Sequence, residues 1–210
     1  EYLRVSHCHD FTGKGMKVLA KRAKYLHTLH LAECPRVTGN DVGAVLKGCR
    51  QLTELNVRDC PNIRDAAFRA MVKYGDVLKT LNLRGLSSAV GNTAVSRIGE
   101  GCGALRSLDL TDCPRVANKG LRNLVLGCSR LTTLRLDNCY KCTEPFVQAI
   151  AEELPFVEYA EGWYGLQALE DADERITLTE LRRRQVAAAT AMQRIWRGQS
   201  ARHQAAMLRL

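Results

Sequence analysis

Cysteine recurs along this chain on a beat of 26 residues, at Cys8, Cys34 and Cys60, and the beat resumes at Cys113 and Cys139. Each of these cysteines closes the same apolar string. Leu26, Leu29, Leu31 and Cys34 return as Leu52, Leu55, Val57 and Cys60. They return again as Leu78, Leu81 and Leu83, with Leu86 in the cysteine position. Two more copies follow, Leu105, Leu108, Leu110, Cys113 and Leu131, Leu134, Leu136, Cys139. A fixed period of this length excludes one conventional globular core. Each unit is too small to bury its own apolar face and must stack on its neighbours.

The string L-x-x-L-x-L-x-x-C is the sequence signature of a leucine-rich repeat. Its L-x-L stretch alternates with period two and predicts a short strand with one buried face. Helical spacing follows in each unit: Val42, Val45, Leu46; Phe68, Met71, Val72; Leu121, Leu124, Val125; Val147, Ile150, Ala151. These predict single-faced helices too short to be stable alone. The expected fold is α/β: a right-handed solenoid with a concave parallel sheet and convex helices over residues 1–165, then a helical tail over 166–210. The chain opens in the middle of a repeat at Leu3, Val5 and Cys8, so further sequence is expected upstream. The segment 155–165 is expected to form a degenerate last coil.

Secondary columns fit the same frame. Cys49, Cys102 and Cys128 follow the helices, and each is preceded by a glycine, Gly48, Gly101 and Gly127. A left-handed turn closing the helix would explain those glycines. Cys142 shares a column with Phe11, Val37, Ile63 and Val116. The fourth unit has one extra residue, placed between Leu86 and Val95 in the strand-to-helix loop, where insertion costs least.

All nine cysteines therefore fall on repeat positions, as core residues rather than disulfide partners, which points to a reducing compartment such as cytoplasm or cytoskeleton. No apolar run reaches the ~20 residues a membrane span needs. The net charge of +9 is uneven. Every acidic residue lies at or before Glu180, and 181–210 contributes seven arginines, so residues 1–180 sum to near neutrality.

Little in the chain suggests chemistry. Cys139 and Cys142 have zinc-knuckle spacing, but repeat columns explain both and no second pair follows. His7, His9, His27 and His30 cluster in the first two units; exposed side chains on a sheet face explain them more simply than a metal. No phosphate loop, nucleophile elbow or carboxylate pair is present, so a non-enzymatic protein without metal or cofactor is expected. The concave face should present one ladder of Arg4, His30, Asn56, Asn82, Asp109 and Arg135. Beside it should run Ser6, Ala32, Arg58, Arg84, Thr111 and Asp137. These polar, mixed-charge ladders lack aromatics and suit a protein partner better than stacked nucleic-acid bases. A merely solvated face is the alternative.

The tail carries a second motif. Met192, Gln193, Arg197, Gly198 and Arg202 resemble the IQ motif, Φ-Q-x-x-x-R-G-x-x-x-R, with methionine in place of the usual isoleucine or leucine. That resemblance implies binding of calmodulin or a related EF-hand protein. Met192, Ile195 and Trp196 share a helical face suited to a methionine-rich groove, and the arginines suit an acidic partner. The alternatives are a helix packed on the solenoid or lying on a membrane surface, the latter disfavoured by an alanine-heavy apolar face.

The repeats over residues 3–165 resemble the cysteine-containing repeats of F-box/LRR proteins. Residues 34–42 and 113–121, each running from a Cys-Pro-Arg-Val string to the apolar start of a helix, follow that pattern closely. Together with an IQ motif, the resemblance implies an interaction scaffold on a larger protein assembly, of the kind found in ciliary or flagellar axonemes. The alternative it implies is the substrate-recognition part of a ubiquitin-ligase adaptor.

Overall fold

A computed structural model describes residues 1–143 together with Val147 and Ile150. Within them the chain repeats strand, turn, helix and return. The order is β1 (Tyr2–Arg4), α1 (Gly13–Arg22), β2 (Thr28–His30), α2 (Gly39–Gly48), β3 (Glu54–Asn56) and α3 (Asp65–Tyr74). It continues with β4 (Thr80–Asn82), α4 (Asn92–Gly101), β5 (Ser107–Asp109), α5 (Asn118–Gly127) and β6 (Thr133–Arg135). The six strands form one parallel sheet in sequence order. Leu3, Leu29, Leu55, Leu81, Leu108 and Leu134 stand in register at its centre. This is the expected leucine-rich repeat solenoid.

The core is a thin layer between sheet and helices. Leu29, Leu55, Leu81, Leu108 and Leu134 are at most 1 % exposed, and the next inward column, from Leu31 to Leu136, is at most 3 % exposed. Val45, Phe68, Met71, Ile98 and Leu124 close the layer from the helix side. Burying each such side chain contributes roughly 1.5–3 kcal/mol. Val72 departs from expectation. It is 39 % exposed, because Phe68 and Met71 already fill the inward face of α3.

The cysteines hold successive coils together. The thiols of Cys34, Cys60 and Cys139 donate to the carbonyls of Val5, Leu31 and Leu110 in the preceding coil, at 3.0, 3.0 and 3.2 Å. Cys113 reaches Leu83 in the same way at 3.6 Å. A small apolar side chain with one weak donor therefore satisfies a carbonyl in the core that leucine, at position 86, cannot. Burial raises most of the buried thiols: Cys60 to about 11, Cys102, Cys113 and Cys128 to about 12. The hydrogen bond between Cys139 and Cys142 lowers Cys139 and, with burial added, raises Cys142.

The glycines after the helices serve a different purpose from the one their position suggested. Cys49, Cys102 and Cys128 are the C-caps, at φ between −102° and −112°, so no left-handed turn is involved. Gly48, Gly101 and Gly127 instead lie against the backbone of a neighbouring coil. A Cβ at Gly48 would sit 2.2 Å from the Ala20 carbonyl oxygen; at Gly127, 1.9 Å from that of Gly99. Close approach of stacked coils, not turn geometry, demands glycine there.

Helix starts are capped within and between coils. Thr38 and Asp41 form a reciprocal capping box on α2. Asn92 Oδ1, at the start of α4, accepts the backbone N–H groups of Ala117 and Gly120 at 2.9 and 3.2 Å, and so caps α5 of the next coil. The extra residue of the fourth unit lies where the sequence placed it. β4 to α4 spans one residue more than each other strand-to-helix step, while every helix-to-strand step is equal.

Candidate interaction face

With leucine at the middle of each three-residue strand, the flanking residues must point to the opposite side of the sheet. Arg4, His30, Asn56, Asn82, Asp109 and Arg135 consequently form one continuous ladder in register. The expected ladder is thus brought together residue by residue. Arg4 and Arg135 are exposed at its two ends, and neither has an ion-pair partner among the described residues.

The middle of the ladder has a structural task as well. Asn56 Oδ1, Asn82 Oδ1 and Asp109 Oδ1 accept the backbone N–H groups of Arg58, Arg84 and Thr111 at 3.1, 3.0 and 2.9 Å. Each thereby satisfies a donor where the chain leaves the sheet. One side-chain atom remains directed along the face, as when Asn82 Nδ2 donates to Asp109 Oδ2 at 3.3 Å.

Immediately beyond, one residue in every coil turns left-handed. His7, Glu33, Asp59, Asp112 and Asn138 have φ between 55° and 61°, and Gly85 has φ 74°. This is costly for residues with a Cβ, and the ladder of backbone hydrogen bonds from His7 to Ala32 through Asp112 to Asp137 holds it in place. The turn column delivers carboxylates onto the face beside the arginines. Arg58 Nη2 donates to Glu33 Oε1 at 3.1 Å, and Arg84 Nε to Asp112 Oδ2 at 3.2 Å. Glu33 is held below the usual carboxylate range, chiefly by the Arg58 hydrogen bond and further by His7 2.9 Å away.

Sequence reasoning missed a third ladder, Tyr2, Thr28, Glu54, Thr80, Ser107 and Thr133, two residues before the first. The same alternation would have revealed it. It matters because Glu54 Oε1 lies 2.9 Å from His30 Nε2, while Tyr2 packs edge-on to the His30 ring at 5.3 Å between centroids. An aromatic therefore does stand on the face. The histidines of the first coils form no metal-capable group among the described residues: His7 faces Glu33 and His30 faces Glu54.

Met192, Gln193, Ile195, Trp196, Arg197, Gly198 and Arg202 lie outside the described residues, as does the segment expected to form the last coil. No helix among the described residues is long and apolar enough to cross a membrane.

The comparison with protein families agrees with the fold. A family described as leucine rich repeat matches residues 104–125, which run through β5 into α5. No curated protein matches the chain closely enough to count as a relative. Among solved structures, the crystal structure of a Rad7 and Elc1 complex in yeast is similar at 12% identity and a TM-score of 0.43, over 81% of this chain and 67% of that one. The coil that carries the family match repeats in register on both sides of itself, so the described chain is a leucine-rich repeat solenoid, a fold used for protein–protein interaction.

Proposed function

We propose that this protein is a non-enzymatic interaction scaffold that docks on a larger protein assembly through its sheet face and recruits an EF-hand partner through its tail. The observation that carries the first half is the register-aligned ladder from Arg4 to Arg135. It is flat in register, mixed in charge, and ends in two arginines without an ion-pair partner among the described residues. A partner with carboxylates spaced to meet those ends gains orientation and on-rate from them, while Tyr2 and His30 offer contact area near the Arg4 end.

The second half rests on the IQ-like residues Met192, Gln193, Arg197, Gly198 and Arg202, whose spacing suits calmodulin or a related light chain. An axonemal cytoskeleton is the setting that combination of modules suggests. The test is a comparison of proteins captured by the full chain and by an Arg4→Glu/Arg135→Glu variant. Loss of a defined set on the variant, with calmodulin capture retained, supports the scaffold reading. Identical sets on both would remove the sheet face from it.

A further inference from the structure

The side of the solenoid away from the ladder has its own chemistry. Residues 1–143 hold 23 lysines and arginines against 12 aspartates and glutamates, so the described solenoid is strongly basic. Its apparent neutrality up to residue 180 arises from the acid-rich stretch 144–180, which offsets it. The sheet face does not account for that excess, since Glu33, Glu54, Asp59, Asp109, Asp112 and Asp137 outnumber its arginines. The positive charge is displayed instead on the helices, where α1 alone exposes Lys14, Lys17, Lys21 and Arg22 without an acidic residue.

On this basic side α2 and α3, with α4 beside them, enclose an open groove of about 580 Å³. Its floor is Gly43, Ala44, Ala66 and Ala70, with the half-exposed Val72 at one side. The groove exists because small residues face each other there: a Cβ at Gly43 would lie 3.1 Å from that of Ala70. Its rim is Lys47, Arg69, Lys73 and Arg97, against Glu100. Asp65 already engages Arg69 and Arg97, which fixes those guanidinium groups along the wall. Lys47 and Lys73 are exposed and have no ion-pair partner among the described residues.

We propose that this groove binds an acidic amphipathic helix of a partner protein, with its carboxylates on Lys47 and Lys73 and its small apolar side chains on the alanine floor. An apolar floor between basic rims is complementary to such a helix. Nucleic acid fits less well, because the one aromatic ring in the wall, Tyr74, is covered by the Arg50 guanidinium at 5.6 Å and is not free to stack on a base. A bilayer fits less well again, because insertion needs apolar groups that protrude, and these form the bottom of a depression. The groove is independent of the sheet ladder.

The probe is a fluorescent helical peptide of about 15–20 residues, glutamate on one face and alanine and leucine on the other, titrated into the full chain. Binding should weaken at least about tenfold with Lys47→Glu/Lys73→Glu, a loss of ~1.4 kcal/mol. It should weaken comparably with Ala44→Gln, which blocks the floor and leaves the charge alone. Arg4→Glu/Arg135→Glu should leave it unchanged. All these positions except Ala44 are exposed, and thermal unfolding checks that each variant folds. Loss with the lysine change but not with Ala44→Gln would overturn the groove in favour of diffuse charge attraction. Tighter binding of a DNA duplex or of phosphatidylserine vesicles, lost in the same variants, would overturn the protein partner. Peptide binding that emerges only after Glu152, Glu153, Glu158 and Glu161 are changed to Gln would give the groove to the chain's own acidic stretch and overturn the proposal as stated.

Discussion

The Cys60 thiol donates a hydrogen bond to the Leu31 carbonyl 3.0 Å away, one coil earlier. The same relationship links Cys34 to Val5 and Cys139 to Leu110, so the cysteine column is a line of bonds along the solenoid axis. Replacing Cys60 with Ala should destabilise by ~1–3 kcal/mol, since it leaves a buried carbonyl unpaired as well as a small void. Chemical denaturation of the two chains measures the difference.

Thiol reactivity should follow burial. Eight cysteines are buried and Cys8, in the first coil, is only partly covered. Native labelling read by mass spectrometry should modify Cys8 first, with Cys34, Cys60, Cys113 and Cys139 reacting only on unfolding. Rapid native labelling of the buried set would be incompatible with a stacked core.

Those thiols also set an alkaline limit. The folded-state values of Cys60, Cys102, Cys113 and Cys128 are raised, to about 11 at the first and about 12 at the others, so the folded state holds protons that the unfolded chain releases. Their contribution is complete below the unfolded value of about 9 and falls as pH rises toward the folded ones. Each thiol in that window should remove ~1.4 kcal/mol per pH unit. Denaturation midpoints at pH 7, 8 and 10 (roughly bracketing that onset) should be nearly equal at the first two and then decline.

The close backbone approach gives a paired test. Gly48→Ala and Gly127→Ala each drive a Cβ into a neighbouring carbonyl and should cost ~1–3 kcal/mol. Gly103→Ala should be nearly neutral, because the nearest atom to its Cβ is 3.8 Å away. Leu108→Ala, which empties a central strand position that is 0 % exposed, should cost ~2–5 kcal/mol. Thermal melts of the four variants order these effects.

The fold was legible because its signal is covalent arithmetic: a 26-residue period repeats each strand, helix and loop, and even the extra residue near Ser87 can be placed by counting. The Arg4–Arg135 ladder was legible for the same reason, since period two fixes which side of a strand a residue faces. The rest depended on neighbours in the next coil. Nothing around Gly48 in sequence reveals the Ala20 carbonyl pressing on it, and a turn was the natural local explanation. Asn92 caps a helix 25 residues away, which no local capping rule finds. The basic helix side was hidden by summing charge along the chain instead of by face.

For the tail, a peptide of residues 180–210 should bind calmodulin without calcium, with a blue shift of Trp196 fluorescence. The combined change of Gln193, Arg197 and Gly198 should abolish binding. Binding that survives that change and falls steeply with salt would mean simple attraction of a basic helix.

The central claim is that the sheet face is where a protein partner docks, and hydroxyl-radical footprinting of the captured complex tests it most directly. Tyr2 and His30 stand on that face, and Tyr25, 65% exposed, lies outside its three ladders. Complex formation should suppress oxidation of Tyr2 and His30 severalfold while Tyr25 stays as reactive as in the free chain. Unchanged oxidation of Tyr2 and His30 in the complex would contradict that claim.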